Sequence, residues 1–258
     1  MSTDENRWWD WRRRWDRQQE VYLPYREQRF DVMLDIAAQL LPADAVVVDL
    51  CCGLGSLTER ALPRLPTARL IAVDLDPVLL RLGRQTIGGA HGRVDWIQAD
   101  LTEVGWISKL PVDRVDAVLS TTALHYLPAE QLVRLYRQLF GLIAPGGFVA
   151  NGDHMAYPAR LPTFRALAET TGSRWYEQSM AAPAAENFGD WWRAIAEEPG
   201  MAELMVERER LFAWRAHREA SAEYVLQRAA MEEAGFREVD TVWQHLDNRV
   251  LLAYRGTS

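Results

Sequence analysis

The sequence predicts an α/β protein built on a doubly wound, mostly parallel sheet. Five short apolar runs, rich in β-branched residues, alternate with segments of helical spacing through the middle of the chain. Such runs suit buried parallel strands, and their alternation with helices implies right-handed strand–helix–strand units. Two further β-like runs close the chain after a long helical stretch. The length of 258 residues fits one large domain or two small ones.

The predicted elements follow in order along the chain. The five central strands cover residues 45–50, 69–74, 94–98, 115–120 and 147–151. Helices are predicted over 57–65, 77–86 and 128–143. Asp76 before Pro77 supplies an N-cap and an N1 proline for the second of these helices. Residues 8–41 and most of 161–234 have helical spacing, and the β-like runs 236–243 and 249–254 flank a turn at 246–248.

Composition and charge exclude several classes of protein. The fractions of 48% hydrophobic and 25% charged residues argue against disorder, and no apolar run approaches the roughly 20 residues of a membrane-spanning helix. The N-terminus lacks the apolar core of a signal peptide, so we expect a cytoplasmic protein without a membrane partner. Cys51 and Cys52 are adjacent and no other cysteine exists, so no cysteine-based metal site is expected. The net charge of -7 disfavours a nucleic-acid partner.

The strongest motif is VVVDLCCGLGSLT at residues 46–58. A strand ends at the acidic Asp49 and runs into a turn with Gly53 and Gly55, which opens a helix. Small residues let a ligand lie against such a turn, and the amide groups at the helix start face that ligand. The dinucleotide fingerprint requires a third glycine three positions after Gly55, where this chain has Thr58. A nicotinamide cofactor is therefore disfavoured.

The motifs that follow point to one family. Asp74 ends the second strand, where a carboxylate can bind both hydroxyls of a ribose. Asp100 follows the third strand in QADL, the fourth strand runs into LSTTALHYLP, and IAPGGF precedes the fifth. With these motifs the chain resembles the class I S-adenosylmethionine-dependent methyltransferases, over residues 45–153 and the final hairpin. The resemblance implies a Rossmann-like seven-stranded sheet (45–152 and 236–258), an N-terminal helical lid (1–44) and a helical cap (153–235) within a single domain.

The resemblance also implies S-adenosyl-L-methionine as cofactor and assigns residues to it. The matching positions are Asp49, Cys51, Gly53, Gly55, Asp74, Leu75, Asp100, Leu101 and, through its backbone carbonyl, Ser120. Cys51 is a departure, because the family usually has its first glycine there. A small side chain is often accepted at that position, so we expect the cofactor site to be slightly narrower at its base and still to bind the cofactor. The alternative is that both cysteines are simply small buried residues.

Related small-molecule methyltransferases often send a tyrosine and an arginine from the N-terminal helix to the carboxylate of the cofactor. Tyr22 and Arg29 are seven residues apart, which places them on one face of a continuous helix. An arginine fork suits a carboxylate, so we expect Arg29 to bind it, with Tyr22 or Tyr25 beside it. For Arg26, an exposed position is an equally good interpretation.

Ligands bind at the carboxyl ends of the strands in a doubly wound sheet, so residues just past the fourth and fifth strands should face the acceptor. His125 and His154 fall there, and both are candidate bases. His154 is the first candidate because Asp153 precedes it. His125 is alternatively a part of the pocket wall. His91, His217 and His245 have no comparable placement.

The aromatic residues form the expected acceptor pocket. The chain has 11 tryptophans, which are sparse in the predicted sheet and enriched in the lid and cap. Tyr126, Trp175 and Trp192 are the candidate substrate contacts, since an aromatic cap excludes water and suits a largely apolar small molecule. Two interpretations remain open for Trp8, Trp11 and Trp15. They either cover the substrate as part of the lid or serve only to pack the N-terminal helix onto the body of the protein.

The resulting expectation is an enzyme that transfers a methyl group to an oxygen or nitrogen of a small molecule by in-line displacement. A peptide acceptor, a cyclase or rearrangement enzyme that keeps the cofactor as a structural ligand, and a non-catalytic protein that senses the cofactor all need the same binding motifs. The sequence leaves these alternatives open, together with the oligomeric state.

Overall fold

The computed structural model describes residues 3–182, 185–213 and 223–257. Its strands are β1 (Val46–Leu50), β2 (Arg69–Asp74), β3 (Val94–Gln98), β4 (Val115–Thr121), β5 (Ile143–His154), β6 (Glu238–His245) and β7 (Asn248–Tyr254). They form one sheet in the order β3-β2-β1-β4-β5-β7-β6. The first five strands pair in parallel, whereas β7 runs antiparallel to β5 and β6. The predicted α/β fold with a C-terminal hairpin is confirmed.

The helices follow the predicted alternation through the middle of the chain. They are α1 (Thr3–Tyr22), α2 (Arg26–Leu40), α3 (Ser56–Arg64), α4 (Pro77–Thr86), α5 (Ala129–Leu142), α6 (Pro162–Met180), α7 (Phe188–Ala196), α8 (Ala202–Phe212) and α9 (Tyr224–Ala234). The Asp76 side chain accepts hydrogen bonds from the backbone of Val78 and Leu79, as an N-cap does. None of these described helices is long and apolar enough to cross a bilayer. His217 lies outside the described residues.

The sheet is covered on both faces by apolar residues. One face packs against α5 and includes Val118, Leu135 and Met231. The other packs against α2 and α3 and includes Met33, Val47 and Leu57. The helix α9, which the sequence assigns to the cap, contacts α5 and β6. It therefore packs on the body of the sheet, whereas α6 and α7 contact the lid helix α1.

The N-terminal region differs from the single helix that the sequence predicts. The chain breaks between α1 and α2, and Tyr25 has a left-handed backbone with φ of 61°. Tyr22 and Arg29 therefore lie on different helices, and the predicted shared face is wrong. Because of this break, α1 packs against α4, α6 and α7, while α2 packs against α3 and β5.

A third apolar cluster joins the lid to the cap, and it accounts for much of the tryptophan excess. Trp8, Trp11 and Trp15 of α1 are all buried in it. Trp15 has its ring centroid 4.8 Å from that of Trp191 and 6.1 Å from that of Trp192. These aromatic side chains pack α1 onto α4 and α7. Trp15 and Trp192 also form part of the wall of a cavity at the ends of the strands.

Candidate functional site

A cavity of about 480 Å³ opens where the carboxyl ends of β1 to β4 meet the helices α1, α7 and α8. Strands in a parallel sheet end on the same edge, so residues far apart in the sequence converge there. The sequence-predicted cofactor residues that line this cavity are Tyr22, Asp49, Cys51, Gly53, Asp74, Leu75, Asp100 and Leu101. The structure thus brings together eight of the twelve.

Asp49 is buried at the base of the cavity. One of its carboxylate oxygens, Oδ2, accepts hydrogen bonds from the backbone amide (3.0 Å) and the hydroxyl (2.6 Å) of Thr58. Burial raises the pKa of Asp49 to about 6, and the hydrogen bonds from Thr58 oppose this rise. Thr58, which replaces the third glycine of the dinucleotide fingerprint, therefore fixes this carboxylate at the start of α3.

Asp74 links the glycine turn to the end of β2. Its Oδ2 accepts a hydrogen bond from the amide of Gly53 at 2.7 Å, and its Oδ1 accepts one from the amide of Asp76 at 2.8 Å. Burial, and then the charge of Asp76, raise the pKa of Asp74 to about 6. Additional hydrogen-bond donors, such as those of a vicinal diol, would stabilise the ionised form of this buried carboxyl.

The glycine turn has two glycines with different roles. A Cβ on Gly53 would lie at an ordinary 3.7 Å from Leu79, so the left-handed φ of 57° is what favours glycine there. A Cβ on Gly55 would lie only 2.5 Å from Cη2 of Trp96. Gly55 lies outside the residues that line the cavity, and its small size serves packing against Trp96. Cys51 also has a positive φ, of 60°, at the position where the family usually has glycine.

Arg12, which was not among the predicted residues, connects the lid to the glycine turn. Its guanidinium, 1% exposed, donates to the carbonyl oxygens of Leu54 at 2.7 Å and Gly55 at 3.0 Å, and it pairs with Glu59. Nothing in the local sequence separates Arg12 from its exposed neighbour Arg13, because the contact joins residues more than 40 positions apart.

Of the three residues predicted to bind the carboxylate of the cofactor, Tyr22 lines the main cavity, whereas Tyr25 and Arg29 do not. Arg29 is buried beside β5, where it donates to the carbonyl oxygen of Gly152 (3.3 Å) and to the hydroxyl of Thr122 (3.2 Å). Burial lowers its pKa to about 10. Tyr25 Oη lies 3.3 Å from His245 Nε2. Both Arg29 and Tyr25 line a separate cavity of about 320 Å³.

Arg26, rather than Arg29, lines the main cavity. It is 6% exposed and pairs with Asp16 at 3.0 Å, whose same carboxylate oxygen accepts a hydrogen bond from the hydroxyl of Ser56. Burial lowers the pKa of Arg26. This chain of contacts places the guanidinium near the start of α3. The interpretation of Arg26 as an exposed arginine is therefore wrong. Ser120 is buried, outside the residues that line the cavity, and its hydroxyl donates to the carbonyl oxygen of Leu50.

The structure pairs the candidate catalytic residues differently from the sequence. Asp153 is fully buried and binds the ring of His125, with 2.7 Å between Asp153 Oδ1 and His125 Nδ1. His154 points to the opposite side of β5, as neighbouring strand residues do, and its Nε2 lies 2.6 Å from Oδ2 of Asp247. Asp153 therefore supports His125 and not His154, although its place next to His154 made His154 the first candidate. Among the described residues, no histidine lines the main cavity.

Two of the three candidate substrate residues, Tyr126 and Trp192, line the main cavity. Trp175 lies outside it, with Nε1 donating to the carbonyl oxygen of Glu20 at 2.9 Å and its ring packed at a tilt against that of Tyr25, with 5.4 Å between the ring centroids. Sequence reasoning missed Gln18, although its spacing from Trp15 and Tyr22 along α1 places all three on one helix face. Helical periodicity alone could have identified this residue.

Comparison with known protein families gives a consistent result. Residues 47–147 match a family model described as a methyltransferase domain. A trans-aconitate 2-methyltransferase from Azoarcus sp. (strain BH72) is 31% identical over 226 residues, which cover 81% of this chain and 83% of that protein. A second protein of that name, from Methylobacterium nodulans, is 32% identical over 66% of this chain and 61% of its own length.

Solved structures show the same fold. An O-methyltransferase family protein from Burkholderia thailandensis aligns with a TM-score of 0.54 and 17% identity, over 99% of this chain and 71% of that protein. At this identity the likeness concerns the architecture alone.

Proposed function

The chain belongs to the class I S-adenosylmethionine-dependent methyltransferases, and from that premise we propose that it methylates a carboxylate oxygen of a small organic acid. The observation that carries the proposal is that one cavity joins the predicted cofactor residues at the ends of β1 to β3 to aromatic residues of α1 and α7. A cofactor and an acceptor held in one such cavity can be kept in line, and this positioning supplies much of the rate enhancement.

S-adenosylmethionine supplies an electrophilic methyl group on a positively charged sulfur. The buried carboxyls of the cavity fit this cofactor. Hydrogen bonds from the hydroxyls of a ribose would stabilise the ionised form of Asp74, whose pKa is about 6. Leu75 and Leu101 offer apolar contacts for an adenine. Asp100, whose Oδ1 accepts a hydrogen bond from the amide of Thr102 at 2.8 Å, has acceptor capacity left for an exocyclic amine. We assign Arg26, in place of Arg29, to the carboxylate of the cofactor.

The choice of a carboxylate acceptor follows from the proton balance. A carboxylate oxygen is already ionised at neutral pH, so it needs no base, whereas a hydroxyl must lose a proton as it is methylated. The described part of the cavity has no histidine in its wall, and its aspartates lie at the proposed cofactor end. The relatives named for trans-aconitate, itself a carboxylic acid, are in line with this choice.

A second acceptor class is favoured by one observation. The pair of Asp153 and His125 is the arrangement that orients a base, and His125 directly precedes the cavity residue Tyr126. If the acceptor is a hydroxyl or an amine, His125 is the residue to receive its proton. Replacing His125 separates the two acceptor classes. Methylation of a hydroxyl or amine should slow without His125, whereas methylation of a carboxylate should not.

The experiment is a turnover assay that measures S-adenosylhomocysteine with trans-aconitate, benzoate, a phenol and an aryl amine as acceptors. We expect turnover with a carboxylic acid, and we expect His125→Ala and His154→Ala to retain that activity. Turnover restricted to the phenol or amine, with a loss of about 100-fold or more in His125→Ala, would establish the second class instead. Binding of S-adenosylhomocysteine without turnover on any acceptor would point to a rearrangement enzyme or a cofactor sensor.

A further inference from the structure

The wall of the main cavity contains two buried hydrogen-bond donors that have no partner in the protein. Gln18 is fully buried, and its Nε2 makes no hydrogen bond. Trp192 is 9% exposed, and its Nε1 is likewise unpartnered. Both residues line the cavity. Buried donors in folded proteins are nearly always satisfied by protein, water or a ligand, so two of them in one cavity wall indicate a bound group that accepts hydrogen bonds.

The orientation of the Gln18 amide is set by its neighbour. Gln19 donates its own side-chain amide to Gln18 Oε1 at 2.8 Å. The oxygen of the Gln18 amide therefore has a partner in the protein, whereas its NH₂ group has none and is the end that needs a ligand. The proposed ligand group is consequently an acceptor, such as a carbonyl or carboxylate oxygen, rather than a donor.

The surroundings of Gln18 are flat and apolar. It lies between Trp15 and Tyr22 on one face of α1, and Phe188 of α7 stands opposite that face. The ring centroid of Phe188 is 6.4 Å from that of Trp15 and 6.5 Å from that of Tyr22. At these spacings the rings contact one another, and together they form an aromatic, apolar wall against which the ring of an acceptor can pack.

The charges in the cavity wall set a further limit on the ligand. Arg26 and Arg208 are the cations that line the described part of the cavity. Arg26 is paired with Asp16 at 3.0 Å, and Arg208 with Asp76 at 2.6 Å. Each positive charge already has a carboxylate partner, and Arg26 is assigned to the cofactor, so the acceptor side of the cavity has no surplus of positive charge. This suits an acceptor with one anionic group better than one with several.

We propose that Gln18 and Trp192 form a recognition subsite for an aromatic acid with one carboxylate and, at its other end, a carbonyl oxygen that accepts a hydrogen bond from Gln18 Nε2. This inference rests on the proposed function and adds to it the class of acceptor and the residue that selects it. Trp15, Phe188 and Tyr22 form the apolar wall against which the ring packs, and the N–H of Trp192 offers a second hydrogen bond.

The test compares 4-acetylbenzoate with 4-isopropylbenzoate, which has a methyl group in place of the carbonyl oxygen. Binding of each acid to the complex of the protein with S-adenosylhomocysteine is measured by calorimetry, so no turnover is needed. We expect 4-acetylbenzoate to bind about five- to tenfold more tightly to the native protein, the effect of one hydrogen bond. In Gln18→Leu, which removes the donor, this preference should disappear while S-adenosylhomocysteine binds as before.

Gln39→Leu is the matched control, because Gln39 is exposed on α2, and it should keep the preference. Gln18→Met serves as a second variant if the leucine disturbs folding. Equal affinity of the native protein for the two acids would overturn the proposal, as would a preference that survives in both Gln18 variants. Weaker binding of S-adenosylhomocysteine to the Gln18 variants would also overturn it, because the donor would then serve the cofactor. Selective binding without methylation would retain this subsite and refute the proposed reaction instead.

Discussion

Replacing Asp74 with asparagine tests the cofactor end of the cavity most directly. The native carboxylate uses each oxygen for one backbone amide, that of Gly53 at 2.7 Å and that of Asp76 at 2.8 Å. Its remaining lone pairs are the ones assigned to the ribose hydroxyls. Asparagine keeps the size of the side chain, but it has no charge and only one acceptor oxygen.

The expected loss follows from the strength of hydrogen bonds to a charged group, about 1.5–3 kcal/mol each. A loss of about 2–3 kcal/mol corresponds to S-adenosylhomocysteine binding about 30- to 150-fold more weakly at pH 7.5. The folded protein should melt within a few degrees of the native one, because the lost backbone hydrogen bond is offset by removal of a charge that burial disfavours. The measurements are calorimetric titration and thermal melting. Native-like affinity in a folded Asp74→Asn protein would refute the assignment of the ribose contact.

Three further predictions concern pH, the lid and the glycine turn. Because the pKa values of Asp49 and Asp74 are raised to about 6, both carboxyls gain protons as the pH falls below 6, and S-adenosylhomocysteine should bind about tenfold more weakly at pH 5 than at pH 7. Arg12→Met should lower the free energy of unfolding by about 2–4 kcal/mol in denaturant titrations, since two backbone carbonyls and a carboxylate lose their partner. Gly55→Ala should cost about 2–4 kcal/mol in the same assay, from the clash with an indole and the φ of 82°.

Each of these has a control. The pH dependence should become shallower in Asp74→Asn, and a pH-independent affinity of the native protein would contradict the role of the carboxyls. Arg13→Met, at an exposed ion pair with Asp10, should change stability by less than about 0.5 kcal/mol. Gly172→Ala, in α6 with open space around the added methyl group, should be neutral or slightly stabilising. Equal effects at the two glycines would show that crowding at the turn is unimportant.

The sheet and the glycine turn were predictable because their signals are local. Apolar β-branched runs mark buried strands, and the spacing from Asp49 to Gly55 marks a strand that turns into a helix. The predicted cofactor residues at the ends of β1 to β3 line one cavity for the same reason, since parallel strands carry their ends to one edge.

The missed contacts depend on tertiary packing. Pro24 signals a break in the helical pattern of residues 8–41, and that break separates Tyr22 from Arg29. The left-handed conformation of Tyr25, which sets the direction of α2, has no such local signal. The choice of Asp153 between His125 and His154 depends on which side of β5 each side chain occupies. Consecutive residues of a strand face opposite sides of the sheet, and β5 extends to His154, beyond the predicted end at residue 151, so Asp153 and His154 point apart.

The contacts of α1 with α7 and with the residues that flank α7 also have a consequence for how the protein is made. Arg14 binds Glu186 and Trp11 binds Glu198, pairs separated by 172 and 187 residues. At about 5–20 residues per second, the ribosome completes the partners of α1 only about 10–40 s after it has made α1 itself. During that interval the tryptophans of α1 lack their native cover, so the emerging chain carries an exposed aromatic segment until the cap is synthesised.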